Sequence, residues 1–335
     1  MSVLVTGGAG YIGSHTVAEL VAAGESVVVV DNLQTGHRGA VLEAFNVPFY
    51  NCDIRDTKQL VTIMNDHAVD TVIHFAADSL VGESVTNPLK YYDDNVAATG
   101  KLLQAMVEAG VLRIVFSSTA AVYGKPSRVP ISEADAKQPE NPYGETKLAI
   151  ERMFHWTHRA HGLSSISLRY FNAAGAHGSL PIGEDHRPES HLIPIILQVA
   201  LGQRPHIQVF GDDYETPDGT CIRDYIHVMD LASAHRLAVR YLREHDAGVN
   251  AFNLGNGNGF SVNEVIEVAR TVTGHPIPAQ VAPRRAGDPP QLIADSSQAQ
   301  QVLGWTPVRR DLATIISDAW KWHSSHPNGY DDSTR

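Results

Sequence analysis

Short runs of apolar, β-branched residues recur along the first half of the chain, and each gives way to a stretch whose apolar residues return every three or four positions. The runs Ser2–Thr6, Ser26–Asp31, Val47–Asn51, Thr71–Phe75, Arg113–Ser118 and Ser165–Arg169 predict strands. Several are continuously apolar, the pattern of a strand covered on both faces. Helical spacing fills Tyr11–Ala23, Thr57–Asp66 and Asn95–Ala109 between them. Such alternation predicts an α/β fold with a doubly wound parallel sheet of the Rossmann type. Ligands of that fold sit in the crevice beyond the C-terminal ends of the strands.

Beyond about Gly175 the pattern changes. Gly178–Pro188, Gly211–Gly219 and Pro276–Pro290 are rich in Gly, Pro and Asp, and helical periodicity thins out. The 335 residues are too many for one small core. The expected organisation is a cofactor-binding domain over 1–175 and a smaller α/β substrate-binding lobe over 176–335. A segment around 224–242 is expected to return to the first domain. The tail from Ser324 to Arg335 reads as frayed.

Composition narrows the function classes. A net charge of -11 opposes broad contact with nucleic acid or an anionic membrane surface, which needs a clustered positive field. It leaves room for a small anionic ligand met by a helix N-terminus or one or two arginines. Apolar runs stay well short of the roughly 20 residues that cross a bilayer. Cys52 and Cys221 are the only cysteines, so a disulfide framework is not expected and a reducing cytoplasm is. His155, His158 and His161 recur every third residue without the carboxylate–histidine pattern of a zinc hydrolase, and no metal is expected.

Two motifs carry the chemistry. The first strand ends in Thr6-Gly7-Gly8-Ala9-Gly10-Tyr11-Ile12-Gly13 and passes directly into a helix. Glycines there let backbone N–H groups approach a pyrophosphate at the helix N-terminus. Asp31 ends the second strand, where an acid accepts hydrogen bonds from ribose hydroxyls and repels a 2′-phosphate, so NAD is expected over NADP. Asp53-Ile54 follows the third strand, where adenine would lie, and Phe75-Ala76 ends the fourth, near the pyrophosphate. The second motif is Asn141-Pro142-Tyr143-Gly144-Glu145-Thr146-Lys147, with Asn141 as N-cap and Pro142 at the first helical position. A spacing of four puts Tyr143 and Lys147 on one helix face. A phenol near pKa 10 is a poor base at neutral pH, and a neighbouring ammonium is expected to lower it. Among 11 tyrosines this is the only Tyr–Lys pair so spaced. The fifth strand runs out into Ser117-Ser118-Thr119, where a hydroxyl can relay a proton; Thr119 is the expected residue and Ser118 the alternative.

Together, Thr6–Gly13, Ser117–Gly124 and Tyr143…Lys147 resemble the extended short-chain dehydrogenase/reductase family. Arg169–Asn172, Phe210–Tyr214, Asp218–Thr220, Arg223–Val228 and Arg285–Asp288 are similar to the nucleotide-sugar 4-epimerases within it. That resemblance implies NAD contacts from Gly7, Gly10, Tyr11, Ile12, Gly13, Asp31, Asn32, Asp53, Ile54, Phe75, Ala76, Asn95, Thr119, Tyr143, Lys147 and Phe171. It implies a UDP-sugar held by Asn172, His191, Leu192, Phe210, Arg223, Tyr225, Arg285 and Asp288, with Leu292 beside the sugar, and a homodimer. The implied reaction interconverts UDP-glucose and UDP-galactose through a 4-keto sugar. Tyr143 takes the hydroxyl proton, Thr119 assists and Lys147 holds the nicotinamide ribose. Two departures stand out: Ala77-Asp78-Ser79-Leu80 replaces a stretch that usually carries a lysine near the cofactor, and His191 stands where asparagine is common. A 4,6-dehydratase would need acid–base groups at Ala120-Ala121, and a dinucleotide-sensing regulator would need no Tyr–Lys pair. A simple reductase would release its cofactor at each turnover.

Overall fold

Seven parallel strands form the central layer. The computed structural model describes residues 1–42, 44–285 and 288–331. The first six strands are β1 (Ser2–Thr6), β2 (Val27–Asp31), β3 (Phe49–Asn51), β4 (Val69–His74), β5 (Arg113–Thr119) and β6 (Ser164–Tyr170). Between them run α1 (Tyr11–Ala22), α2 (Gly39–Leu42), α3 (Thr57–Asp66), α4 (Val81–Thr86), α5 (Pro88–Tyr91), α6 (Ala98–Glu108) and α7 (Pro142–His161). One strand is much later: after the short β7 (Asn172–Ala174), β8 (Ile207–Phe210) and β9 (Ile222–His227), the chain adds β10 (Val249–Leu254) beside β6. The sheet order is β10-β6-β5-β4-β1-β2-β3. The direction of winding reverses between β1 and β4, which opens the ligand crevice there.

The apolar runs explain the layering. Side chains alternate across a strand, so Val3 and Val5 pack into one apolar layer and Leu4 into the other. The first layer includes Val17 and Leu20 of α1 and Leu231, Ala234 and Ala238 of α9 (Val228–Glu244), which follows α8 (Leu192–Ala200) in the chain. Leu60 of α3, Leu102 and Met106 of α6 and Phe154 of α7 fill the second. Salt bridges from Arg236 to Glu19 (2.8 Å) and from Arg243 to Glu25 and Asp70 (2.8 Å each) fasten α9 to this layer.

The second half is richer in helix than its Gly/Pro content predicts. Besides α8 and α9 it contains α10 (Val262–Thr273), α11 (Ser297–Leu303) and α12 (Leu312–Ser325). Two were hidden by their sequence, α8 because it is almost wholly apolar and shows no polar face and α11 because it spans barely two turns. By contrast, α10 and α12 are capped amphipathic helices among the Gly/Pro-rich stretches. Helices α8, α10 and α12 enclose a separate core with Ile196, Ile266 and Ile315. Around it, β11 (Gly259–Ser261) and β13 (Gln291–Leu292) flank β9, and β12 (Ala279–Ala282) pairs with β8. The C-terminal stretch is also better anchored than expected. Tyr330 is buried and its hydroxyl accepts from the Gly183 N–H at 3.0 Å, while residues 332–335 lie outside the described part.

Candidate active site

A cavity of about 1210 Å³ follows the C-terminal ends of β1, β4 and β5. Beyond β1, Gly7 takes φ 71°, and a Cβ added there would lie 2.5 Å from the Ala76 nitrogen. A Cβ at Gly13 would come within 2.1 Å of the Gly7 carbonyl oxygen. Only glycine lets the turn fold this tightly against α1, whose N-terminus no side chain caps. Gly7, Gly10, Tyr11, Ile12 and Gly13 line the cavity, and the first-turn N–H groups of Tyr11, Ile12 and Gly13 suit a pyrophosphate. At the end of β2, Asp31 accepts hydrogen bonds from the Ala9 N–H at 2.9 Å and the Leu33 N–H at 2.8 Å. Burial raises its pKa, and those two bonds offset only part of the rise. Asn32, Asp53, Ile54, Phe75, Ala76 and Phe171 line the same cavity. This bare turn, with an acid beyond it, fits a dinucleotide lacking a 2′-phosphate.

Asn95 does not reach the cavity lining. It is buried in a π-helical turn over Tyr92–Ala97, where its side-chain oxygen accepts from the Asp78 N–H at 2.8 Å and its amide donates to the Asp78 carbonyl at 3.1 Å. It therefore holds the strand-end loop in shape. In that loop, Asp78 lies 3.2 Å from the Lys90 ammonium, which also bonds Glu83 at 2.8 Å. The missing lysine thus has a cation nearby, supplied from α5 and tied to two carboxylates.

Helix α7 carries the reactive pair. The Asn141 side chain accepts from the Gly144 N–H at 2.8 Å, capping the helix just before Tyr143. Lys147 is buried, donates to the Ser117 carbonyl at 2.9 Å and lies 5.8 Å from the centre of the Tyr143 ring. Burial brings the Lys147 ammonium down to about 7. Burial also pushes the Tyr143 phenol up, against the opposing pull of the Thr119 hydroxyl. Burial therefore opposes the lowering expected from Lys147, moving the phenol up and the ammonium down. A phenol that accepts a proton needs added positive charge beside it, which the oxidised nicotinamide would supply when bound.

Thr119 ends β5, and its Oγ1 accepts from the Ala121 N–H at 3.1 Å, holding the hydroxyl on the cavity side. Ser118 points the other way, as strand alternation requires. It donates to Glu151 at 2.6 Å, and Glu151 is clasped by Arg169 at 2.9 and 2.5 Å. The choice between the two hydroxyls falls to Thr119. Ser117 is spent on a hydrogen bond with the Tyr170 hydroxyl.

Across the cavity stand Asn172, His191, Arg223, Arg285, Asp288 and Leu292. Arg223 pairs with Asp288, and the Arg285 guanidinium lies 4.0 Å from the centre of the Phe210 ring. Phe210, Leu192 and Tyr225 do not line it. Tyr225 is buried in the core of the second lobe, and Leu192 packs against that core. Ala286 and Gly287 lie outside the described residues. Leu292 packs with Ala120, Val122 and Phe171 at the cavity wall. Three wall residues went unnoticed in the sequence, Glu184, His186 and Glu189. Their spacing with His191, Glu-x-His-x₂-Glu-x-His, was the available signal.

Comparison with known proteins fits this geometry. The profile of the NAD dependent epimerase/dehydratase family matches residues 3–255. A UDP-glucose 4-epimerase of Halalkalibacterium halodurans is 63% identical, with 98% of each chain covered. The crystal structure of UDP-glucose 4-epimerase from Brucella ovis in complex with NAD is 50% identical with a TM-score of 0.91, covering 96% of this chain and 97% of that one. The Bifidobacterium longum UDP-glucose 4-epimerase, in complex with NAD+ and UDP, is 40% identical with a TM-score of 0.92, covering 98% and 100%.

Proposed function

The chain belongs to the NAD dependent epimerase/dehydratase family, and on that premise we propose that it works as a UDP-glucose 4-epimerase, an isomerase interconverting UDP-galactose and UDP-glucose with NAD as resident cofactor. The observation that carries this reading is the meeting of Tyr143, Lys147 and Thr119 at one wall of a dinucleotide-shaped cleft. When bound, NAD supplies the acceptor, and then the donor, of the hydrogen that leaves and returns to carbon-4 of the sugar. Tyr143 accepts the proton of the 4-hydroxyl and gives it back, and the Thr119 hydroxyl relays it. Lys147 would hold the nicotinamide ribose. Arg223 and Arg285 suit the diphosphate, with Asn172, His191 and Asp288 around the nucleotide. A diphosphate held from one end leaves the sugar free to turn over before carbon-4 is reduced on its other face.

Ala120 and Ala121 line the cavity where a 4,6-dehydratase needs acid–base groups, and methyl groups move no protons, which favours epimerisation. We assign 1–175 to cofactor and 176–335 to substrate, with the return around 224–242. The exposed side chains of Leu89, Tyr92 and Trp156, on α5, the π-helical turn after it and α7, which pack together, support a homodimer. Cys52 and Cys221 are both free and buried, which supports a cytoplasmic setting. No described helix is long and apolar enough to cross a membrane. The deciding experiment incubates purified protein with UDP-galactose and separates the products. UDP-glucose should appear in an equilibrium mixture; an unchanged substrate, or a 4-keto-6-deoxy product, would refute the reading.

A further inference from the structure

We propose that Glu184, His186, Glu189 and His191 form a binding site for one divalent transition-metal ion, with zinc(II) the best match to the ligand set. This goes beyond the epimerase reading and does not depend on it. One donor atom from each residue lies within 4.8 Å of the other three. His191 Nδ1 is 2.8 Å from Glu184 Oε1 and 3.1 Å from Glu189 Oε1. His186 Nδ1 is 3.2 Å from Glu184 Oε1 and 3.7 Å from Glu189 Oε2. Zinc bonds of about 2.0–2.2 Å in tetrahedral geometry place neighbouring ligand atoms roughly 3.3–3.5 Å apart. The separations among His191 Nδ1, His186 Nδ1, Glu184 Oε1 and Glu189 Oε2, at 2.8, 3.2 and 3.7 Å, straddle that edge length, so small side-chain adjustments would seat the ion.

Burial and orphaned polarity point the same way. The Glu184 and Glu189 side chains are only 4% and 3% exposed, and two carboxylates side by side in the interior require positive charge between them. His186 Nδ1 is buried without a properly aligned hydrogen-bond partner, although it faces both acids. Backbone bonds preset one ligand: Glu189 Oε1 accepts from the Ser190 and His191 N–H groups at 2.7 and 2.8 Å, which leaves Oε2 toward His186. Both imidazoles face the two carboxylates, which draw positive charge into the site. A divalent ion supplies the same charge as two imidazolium protons and displaces them on binding.

Four protein ligands leave no open position, so the ion braces structure and takes no part in bond breaking. It would pin the loop before α8, whose ring His186 meets Tyr11 of the glycine turn edge-on at 6.3 Å. His191 would keep Nε2 as its remaining donor for the cavity.

The test uses full-length, tag-free protein, stripped with a chelator and titrated with Zn²⁺ and then Co²⁺. Bound metal is counted by mass spectrometry after gel filtration, and the Co²⁺ form is examined by visible absorption. The expected result is one ion per chain with the intense visible bands of four-coordinate cobalt. Affinity should fall at least tenfold in both His186→Gln and Glu189→Gln, and stay unchanged in the control His155→Gln. Circular dichroism checks that each variant is folded; should one fail, the other decides. A stoichiometry near zero, a weak six-coordinate cobalt spectrum, or unchanged affinity in a folded variant would overturn the proposal. None of these readouts uses epimerase activity.

Discussion

Tyr143 and Thr119 divide one proton transfer between them, and their substitutions should differ accordingly. Tyr143→Phe removes the acceptor itself and should lower kcat on the order of 10³–10⁴-fold while UDP binding survives. Thr119→Ala removes only the relay and should cost about 10²-fold. Steady-state rates with UDP-galactose and UDP titrations check both, and wild-type turnover in Tyr143→Phe would end the assignment. Lys147 offers a pH test on cofactor-stripped protein. Folding lowers its pKa from 10.5 to about 7, so the unfolded chain holds more protons throughout that window. Stability therefore rises with pH between about 7 and 10.5, by up to about 1.4 kcal/mol per pH unit from this group. Lys147→Met should be the more stable protein near pH 7, and its advantage should shrink toward pH 10 in denaturant titrations. Leu292 bears on substrate breadth. It lines the cavity, and leucine has roughly four fewer heavy atoms than a tyrosine, against about three added by an N-acetyl group. Measurable but secondary activity on UDP-N-acetylglucosamine is expected, and Leu292→Tyr should suppress it relative to UDP-glucose. An unchanged kcat/KM ratio would show that Leu292 does not gate the pocket.

At the scale of elements, the site depends on how closely α7 starts against the short 3₁₀ turn Ala120–Tyr123 that follows β5. Gly144 sets that distance: a Cβ there would lie 2.6 Å from the Ala121 carbonyl oxygen. Because the obstacle is backbone, Gly144→Ala must push the helix away and carry Tyr143 from Thr119. We expect a loss of about 1–3 kcal/mol in stability and a fall in kcat of roughly 10²-fold, the scale of a misplacement near 1 Å. Thermal unfolding and kinetics on one preparation separate these effects. A stability loss with full turnover would show that the contact is only structural.

For the whole molecule, the decisive property is that one cleft holds cofactor and sugar together through a cycle without net redox change. Protein denatured after purification should therefore release NAD, and turnover should accumulate no NADH. Absorbance at the reduced-nicotinamide band during reaction with UDP-glucose checks this, since stoichiometric NADH would mark a dehydrogenase. The Asp78–Lys90 pairing adds a graded expectation. A cation tied to two carboxylates attracts an anionic cofactor less than a free lysine would, so added NAD should raise the activity of purified protein.

The sequence alone determined the parallel sheet, the glycine turn, Asp31 and the Tyr143/Lys147 pair. Each of these is written within a few residues: an apolar run, a turn that only glycine tolerates, a four-residue helical spacing. The resemblance supplied the distant arginines and Leu292, which no local spacing connects. Tertiary structure decided the rest. Only packing shows that Ser118 is bound to Glu151 while Thr119 faces the cleft, that Asn95 serves the Asp78 loop, and that Arg223 finds Asp288. The Glu184–His191 quartet is local in sequence, yet its four donors converge only because packing against α12 and the glycine turn shapes that loop. The opposing effect of burial on Lys147 and Tyr143 is decided in space for the same reason. Desolvation depends on what surrounds a charge in space, and the neighbours that bury α7's first turn come from strands and turns far along the chain.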